Sequence, residues 1–463
     1  MSNQKINVFC PVETINRELD FRLFFAAVAV RPDIRFIIGK HITLGKLIDE
    51  IKGGVYLGQN VRPVRRVNIN PVIDERLMKR VHRLRASGTT LVVLDEEGGV
   101  MTGDEARWKN WLDYRVDPTQ LQAHEHLCTW GDWQRDYYRS LDVPNVEHIQ
   151  STGHPRFDLY KPRFRGYYDS QTAALRERYG DFVLVNTNFS IANHVHGQVV
   201  EFPDGWAKLC DEQKRVDFVR HWSHVGRVRA NMVALVMRLS VEMPQINFVL
   251  RPHPSENIGS YRAIFGDIPN VIVNHEGSVG AWILASRALV HDGCTTALEA
   301  HFCDVPILNY KSVHDARYDL MLPNALGERC DSEDRVLDAL QSILNGDSSR
   351  GKTGDLPPIA KSLIHNFEHD AFAELSQYLY RVVENVAPSD ADRVLQNHRR
   401  HDRFHPRVLW AKRKTSTPQN EKLEKFYGFE TNNLQRRFEK VREVTNRDVR
   451  FSQISSRIFT VEC

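Results

Sequence analysis

The sequence predicts an α/β protein built from two doubly wound, Rossmann-type domains that face a cleft, followed by a basic C-terminal extension. Short β-rich runs alternate with amphipathic helical stretches from the first residues onward, the pattern of a parallel sheet flanked by helices. The alternation pauses at a polar segment rich in Tyr and Arg and then starts again. At 463 residues the chain also exceeds what one hydrophobic core usually organises.

In the first domain, residues 1–160, INVFCPV (6–12) reads as a strand, and Leu19, Leu23, Phe24 and Ala27 follow at helical spacing. RFIIG (35–39) and VYLG (55–58) are the next strands, residues 71–87 an amphipathic helix, and TTLVVLD (89–95) a β-branched strand that ends in acidic residues and glycines. HLCTWG (126–131) and HIQSTGHPRFDL (148–159) close the domain, and 161–180 reads as a connector. In the second domain, 181–387, five strands are expected in FVLVNTNFS, NFVLRPHPSE, NVIVNHEG, RALVHDGCTTALEA and VPILNY, with helices over 280–286 and 296–302. Residues 388–463 turn basic and proline-interrupted and read as an appendage.

Composition excludes several classes. With 41% hydrophobic, 26% charged and 10% aromatic residues, the chain is neither disordered nor collagen-like. Its longest apolar stretch, 23–30, is far short of the roughly 20 residues a bilayer-spanning helix needs, and the start lacks a secretory pattern, so a cytoplasmic protein is expected. Seven scattered cysteines without a CxxC pair argue for reduced thiols. The net charge of +3 does not suggest nucleic-acid binding. Residues 395–463 hold 16 Lys or Arg against 8 Asp or Glu, which fits peripheral contact with anionic lipid head groups or a partner, and equally a solvated helical face.

Ligands of open α/β sheets bind at the carboxyl ends of the strands, so the residues just after each strand are the candidates. Asp95, Glu96 and Glu97 stand in succession before Gly98 and Gly99; crowded carboxylates there supply a general base, or else form a solvated acidic turn. Arg251 and His253 follow the run NFVL, with prolines on both sides of His253 fixing its direction, which suits two donors to a phosphate. Gly293, Thr295, Thr296 and Glu299 lie where a strand turns into a helix, whose first N–H groups favour an anion. Glu13 and Arg17, after the first strand, and Asp95 are acceptor-side candidates. His124 and His126 flank Glu125 without a third ligand, and no metal site is expected. The glycine-rich dinucleotide and P-loop signatures and the nucleophile elbow are absent.

At these residues the chain resembles known proteins. VFCPVETINRELDFRLFFAAVAV and LDEEGGV resemble bacterial surface carbohydrate biosynthesis proteins, over most of residues 5–310, and TGHPRFDL resembles the end of the first domain in polymerases of the teichoic-acid and capsule kind, which have the GT-B fold. Glu96-Glu97-Gly98 with His253-Pro254 resembles the paired motifs of sialyltransferases and Kdo transferases that use CMP-activated sugars. The resemblance implies a GT-B-like enzyme in which Glu97, or Glu96, is base or nucleophile, His253 contacts the donor phosphate and Thr295 and Thr296 complete that site. The second glycine, Gly99, and threonines in place of serines depart from the pattern.

The expected function is therefore a cytoplasmic glycosyltransferase of surface polysaccharide biosynthesis. It would move Kdo or a nonulosonic acid from a CMP donor to a glycan or glycolipid acceptor, with no metal and no cofactor beyond the nucleotide-sugar. Two other readings stand beside it: a nucleotide-sugar epimerase of the same fold, and a non-catalytic polysaccharide assembly or export component.

Overall fold

The computed structural model describes residues 4–64, 71–198, 202, 211–404 and 429–463. The first sheet contains β1 (Ile6–Val12), β2 (Ile34–Lys40), β3 (Val55–Leu57), β4 (Thr90–Leu94), β5 (Glu125–Thr129) and β6 (Ile149–Ser151). The second contains β7 (Phe182–Asn186), β8 (Asn247–Arg251), β9 (Val271–Val273), β10 (Ala288–His291), β11 (Ile307–Tyr310) and β12 (Glu328–Cys330). A hairpin, β13 (Arg450–Ser455) and β14 (Ile458–Glu462), joins the first sheet, whose order is β13-β14-β2-β1-β3-β4-β5-β6. The second sheet runs β12-β11-β10-β7-β8-β9.

Both sheets are parallel apart from the hairpin, and their strands are buried on both faces, as helix-covered parallel strands must be. Each order reverses once, between β1 and β3 in the first sheet and between β7 and β10 in the second. Those two switch points are where doubly wound sheets open a crevice for ligand. All the strands read from the sequence form, and β12, β13 and β14 are added to them.

Three features go beyond the sequence reading. The connector over 161–180 is helical: its Asp169–Tyr179 helix follows a 3-10 turn that buries Tyr167 and Tyr168 between the domains. Within the region read as an extension, β14 pairs antiparallel with β2 and covers what would otherwise be an apolar sheet edge. Gly39 permits this approach, since a Cβ there would sit 2.4 Å from the Arg457 carbonyl oxygen. The helix Thr431–Thr445 lays Phe438 on Phe451 and pairs Arg437 with Asp20 of the first domain. Even before this, helix Ala371–Val383 has returned to the first domain, where Phe372 packs on Phe25 and Phe164. Part of the basic segment, 405–428, lies outside the described residues.

No helix among the described residues is long and apolar enough to cross a membrane. Cys10, Cys128, Cys294, Cys303 and Cys330 are buried free thiols and Cys463 is an exposed one; Cys210 lies outside the described residues.

Candidate functional site

On the first-domain wall, each acidic residue after β4 meets its own arginine. Asp95 is buried against Arg115, whose Nε lies 3.1 Å from both carboxylate oxygens. Burial alone would raise the Asp95 pKa, but the guanidinium outweighs it and the net shift is downward. Glu96 is paired with Arg22 at 3.0 Å, both side chains only 1% exposed, and its other oxygen lies 3.1 Å from His154 Nε2. His154 Nδ1 accepts from the Arg156 N–H at 3.1 Å, so that nitrogen carries no proton and the ring is neutral. Burial opposes ionisation of Glu96, yet the His154 contact and the Arg22 guanidinium hold its carboxyl well below the usual range.

Only Glu97 faces the cleft. Its side chain is 50% exposed, with Oε2 at 3.0 Å from Arg115 and Oε1 at 3.4 Å from Arg17. Glu96, the alternate base of the sequence reading, is therefore corrected to a structural carboxylate, because Arg22 and His154 take up both of its oxygens. Glu13 is exposed at the β1/β3 switch point, where Asn60 donates to it at 2.8 Å. Arg17 belongs to a π-helical turn, Ile15–Leu19, and also pairs with Glu18 at 3.1 Å. Glu18, unnoticed in the sequence, is a second buried carboxylate: burial first, then repulsion from Glu96, raises its pKa.

On the second-domain wall, the RPHPSE turn is organised by Glu256. This buried carboxylate accepts from Thr187 Oγ1 and Tyr261 OH, both at 2.6 Å, and from the His253 N–H at 3.0 Å. The Ser255 N–H donates to His253 Nδ1 at 3.2 Å, which leaves Nε2 as the ring's free, proton-bearing position. The ring is open to solvent, yet protein crowds it; that desolvation lowers its pKa, with Glu256 and Glu97 pulling upward and Arg17 and His194 pushing down. Arg17 and Glu97 of one domain thus bear electrostatically on His253 of the other.

Arg251 has no such role. Its guanidinium donates to the carbonyls of Glu276, His275 and Gly277 at 2.8, 3.3 and 3.1 Å and lies over the Trp282 ring. Those contacts occupy both terminal nitrogens within the protein, which corrects its reading as a phosphate ligand.

At the β7/β10 switch point, Gly293 takes φ +63°, open to glycine at little cost, and donates to Asn324 at 3.0 Å. The Thr296 hydroxyl accepts from Asn186 across the switch point at 3.0 Å and donates to Cys294 Sγ at 3.1 Å, so it is spent inside the turn. Thr295 occupies the cap position without a capping bond, which leaves its hydroxyl the freer of the two.

Glu299 is the most perturbed carboxylate of this wall. Burial raises its pKa to about 7, against the pull of Arg156, Arg251 and Arg17. Arg156, from the TGHPRFDL stretch, approaches it at 3.8 Å, and Glu299 Oε2 makes no hydrogen bond within the protein. Asn186 Oδ1, His291 Nε2, Asp292 Oδ2 and Asn309 Oδ1, all at the carboxyl ends of β7, β10 and β11, are likewise buried without a hydrogen-bond partner.

A clasp closes the far side of the cleft. Thr102 bridges to Leu320, the Gly103 N–H donates to the Asp319 carbonyl at 3.1 Å, and Arg107 pairs with Asp217 at 3.3 Å. The segment that follows the acidic loop is thereby tied to the second domain.

No family model matches the sequence, and no curated protein matches it either. Among solved structures, the chain is similar to the UDP-GlcNAc 2-epimerase of Methanocaldococcus jannaschii in complex with UDP-GlcNAc and UDP, at 11% identity over 81% of this chain and 99% of that chain, TM-score 0.43. It is also similar to the wall teichoic acid polymerase TagF, at 10% identity over 82% of this chain and 88% of that chain, TM-score 0.43. A further UDP-N-acetylglucosamine 2-epimerase is 12% identical over 82% of this chain and 97% of that chain, TM-score 0.45.

Proposed function

We propose that the chain is a GT-B-like glycosyltransferase of surface glycan biosynthesis, binding the nucleotide of an activated sugar on the second-domain wall and the acceptor on the first. The observation that carries this reading is the Arg17–Glu97 pair after β1 and β4, whose charges bear on His253 after β8. Arg17 takes the place first given to Arg251: a permanent cation that, with the His253 Nε2–H and the Thr295 hydroxyl, holds the departing phosphate. Glu299 is a carboxylate and would repel phosphate, so it is reassigned to accept hydrogen bonds from sugar hydroxyls of the nucleotide.

In the reaction, the bond from the anomeric carbon to the phosphate oxygen breaks and charge collects on the phosphate. The acceptor oxygen forms the new bond to that carbon while its proton passes to Glu97, whose two oxygens are oriented by Arg17 and Arg115. A CMP-linked Kdo or nonulosonic acid is the proposed donor, on the motif resemblance alone. Calorimetric titration with CMP and with UDP, followed by transfer from CMP-Kdo to an oligosaccharide, tests the donor. Wild-type transfer by both Glu97→Ala and His253→Ala would sink the mechanism.

Glu299 favours a second reading. A buried acid that titrates near 7 suits a group that gives and takes a proton at a sugar carbon, as an epimerase of this fold requires. Isomerisation of a UDP-sugar without any acceptor would replace the transferase reading with this one.

A further inference from the structure

Outside the cleft, three metal-competent side chains meet at the seam where the chain returns from the second domain to the first. His365 and His369 lie one helical turn apart, the His369 N–H donating to the His365 carbonyl at 3.0 Å. Glu374 joins them from the first turn of helix Ala371–Val383, and one ligand atom from each lies within 4.8 Å of the others. No hydrogen bond of either imidazole or of the Glu374 carboxylate is found among the described residues; His365 Nδ1 lies 4.0 Å from Asp132 Oδ1. The two histidines and Asp132 also line a cavity of about 340 Å³.

The electrostatics favour a cation-free, neutral pair of rings. The imidazoles stack with centroids 3.8 Å apart and planes 9° apart, so both cannot hold a proton without strong repulsion. Two neutral imidazoles and one carboxylate make a donor set for a borderline divalent ion, with a fourth position left to water. Zinc–nitrogen bonds of about 2.0 Å need donors roughly 3.3 Å apart, which rotation of the exposed His369 supplies.

We propose that His365, His369 and Glu374 form a zinc-type divalent-metal site at this seam, with Asp132 as the outer partner that orients His365. The sequence reading expected no metal because it weighed only His124 and His126; His-Asn-Phe-Glu-His carries the i, i+4 spacing that signals such a site. A bound ion would staple the turn 365–369 to the start of helix Ala371–Val383, next to the acidic loop: the His365 N–H donates to the Trp130 carbonyl at 2.7 Å, and Trp130 Nε1 donates to the Asp95 carbonyl at 2.5 Å.

The test is calorimetric titration of chelator-treated full-length protein with Zn²⁺, backed by the visible spectrum with Co²⁺ and by thermal unfolding with and without Zn²⁺. One ion per chain and a raised Tm are expected, and affinity should fall at least about tenfold in His369→Ala and in Glu374→Gln. His196→Ala, in a different described histidine pair, should bind as wild type. Absence of Zn²⁺ binding at micromolar concentration would overturn the site, as would undiminished binding by a folded His365→Ala/His369→Ala protein, judged by circular dichroism.

Discussion

The two walls of the cleft differ in how their acidic groups are paired, although both bury polar atoms without a hydrogen-bond partner, Arg22 Nε and His154 Nε2 on the first among them. On the first domain, Asp95, Glu96 and Glu97 follow one another in the chain, and each is matched by an arginine. On the second, buried oxygens and nitrogens of Asn186, His291, Asp292, Glu299 and Asn309 find no hydrogen-bond partner in the protein, although such groups are ordinarily satisfied. The first wall is preorganised and presents a single half-exposed carboxylate. The second leaves buried polar atoms at its strand ends unpaired within the protein.

The largest effect expected from this contrast is on catalysis. Glu97→Ala removes the one carboxylate of the acidic run that faces the cleft and should lower transfer about 10²- to 10⁴-fold, read as kcat under saturating donor. A Glu97→Ala rate within twofold of wild type would erase the distinction between Glu97 and its sealed neighbours.

Next comes stability on the first wall. Arg22→Met leaves Glu96 buried with no guanidinium and should cost about 3–5 kcal/mol in urea unfolding. A loss below about 1 kcal/mol would mean that water reaches Glu96, and with it the argument for sealing fails.

The second wall should respond to pH instead. The folded pKa of Glu299 is raised from 4.5 to about 7, so its contribution is fully present below pH 4.5 and is lost as pH climbs through 7. The span corresponds to roughly 3 kcal/mol. Glu299→Gln cannot ionise, so its stability relative to wild type should improve progressively between pH 4.5 and 8. His291 runs the other way: burial depresses its pKa to about 3, so its share is intact above 6.5 and lost on acidification. Urea unfolding of both proteins at several pH values separates the two, and parallel curves would refute the assignment to Glu299.

Strand ends were legible in the sequence because β-branched runs stop abruptly at acidic, proline or glycine residues, as at Leu94 and Arg251. What the side chains do there was less legible, since their partners come from far along the chain. Glu96 is closed by Arg22 and His154, and Arg251 is captured by carbonyls after β9; neither pairing leaves a local pattern. Glu18 and Glu256 were overlooked for the same reason: a buried carboxylate looks like any surface acid until its burial is known. At the C-terminus the basic average concealed RIFTVE, a β-rich run that completes the first sheet.

The smallest effect concerns how the two walls are held together. Arg107 and Asp217 span the domains at 3.3 Å with side chains 37% and 40% exposed, so solvent screening limits the pair to about 0.2–1 kcal/mol. Arg107→Ala should therefore leave global stability almost unchanged. The Arg107 guanidinium, however, also donates to the Arg317 carbonyl at 3.3 Å, and the clasp's backbone links at Thr102 and Gly103 lie within five residues of it. A loss of 1 kcal/mol from the closed arrangement alone changes a closed-to-open ratio about fivefold. Nucleotide affinity measured by calorimetry should weaken by up to that factor, while the urea midpoint stays within error of wild type. If both fell together, the contact would belong to the folded core and not to a movable seam.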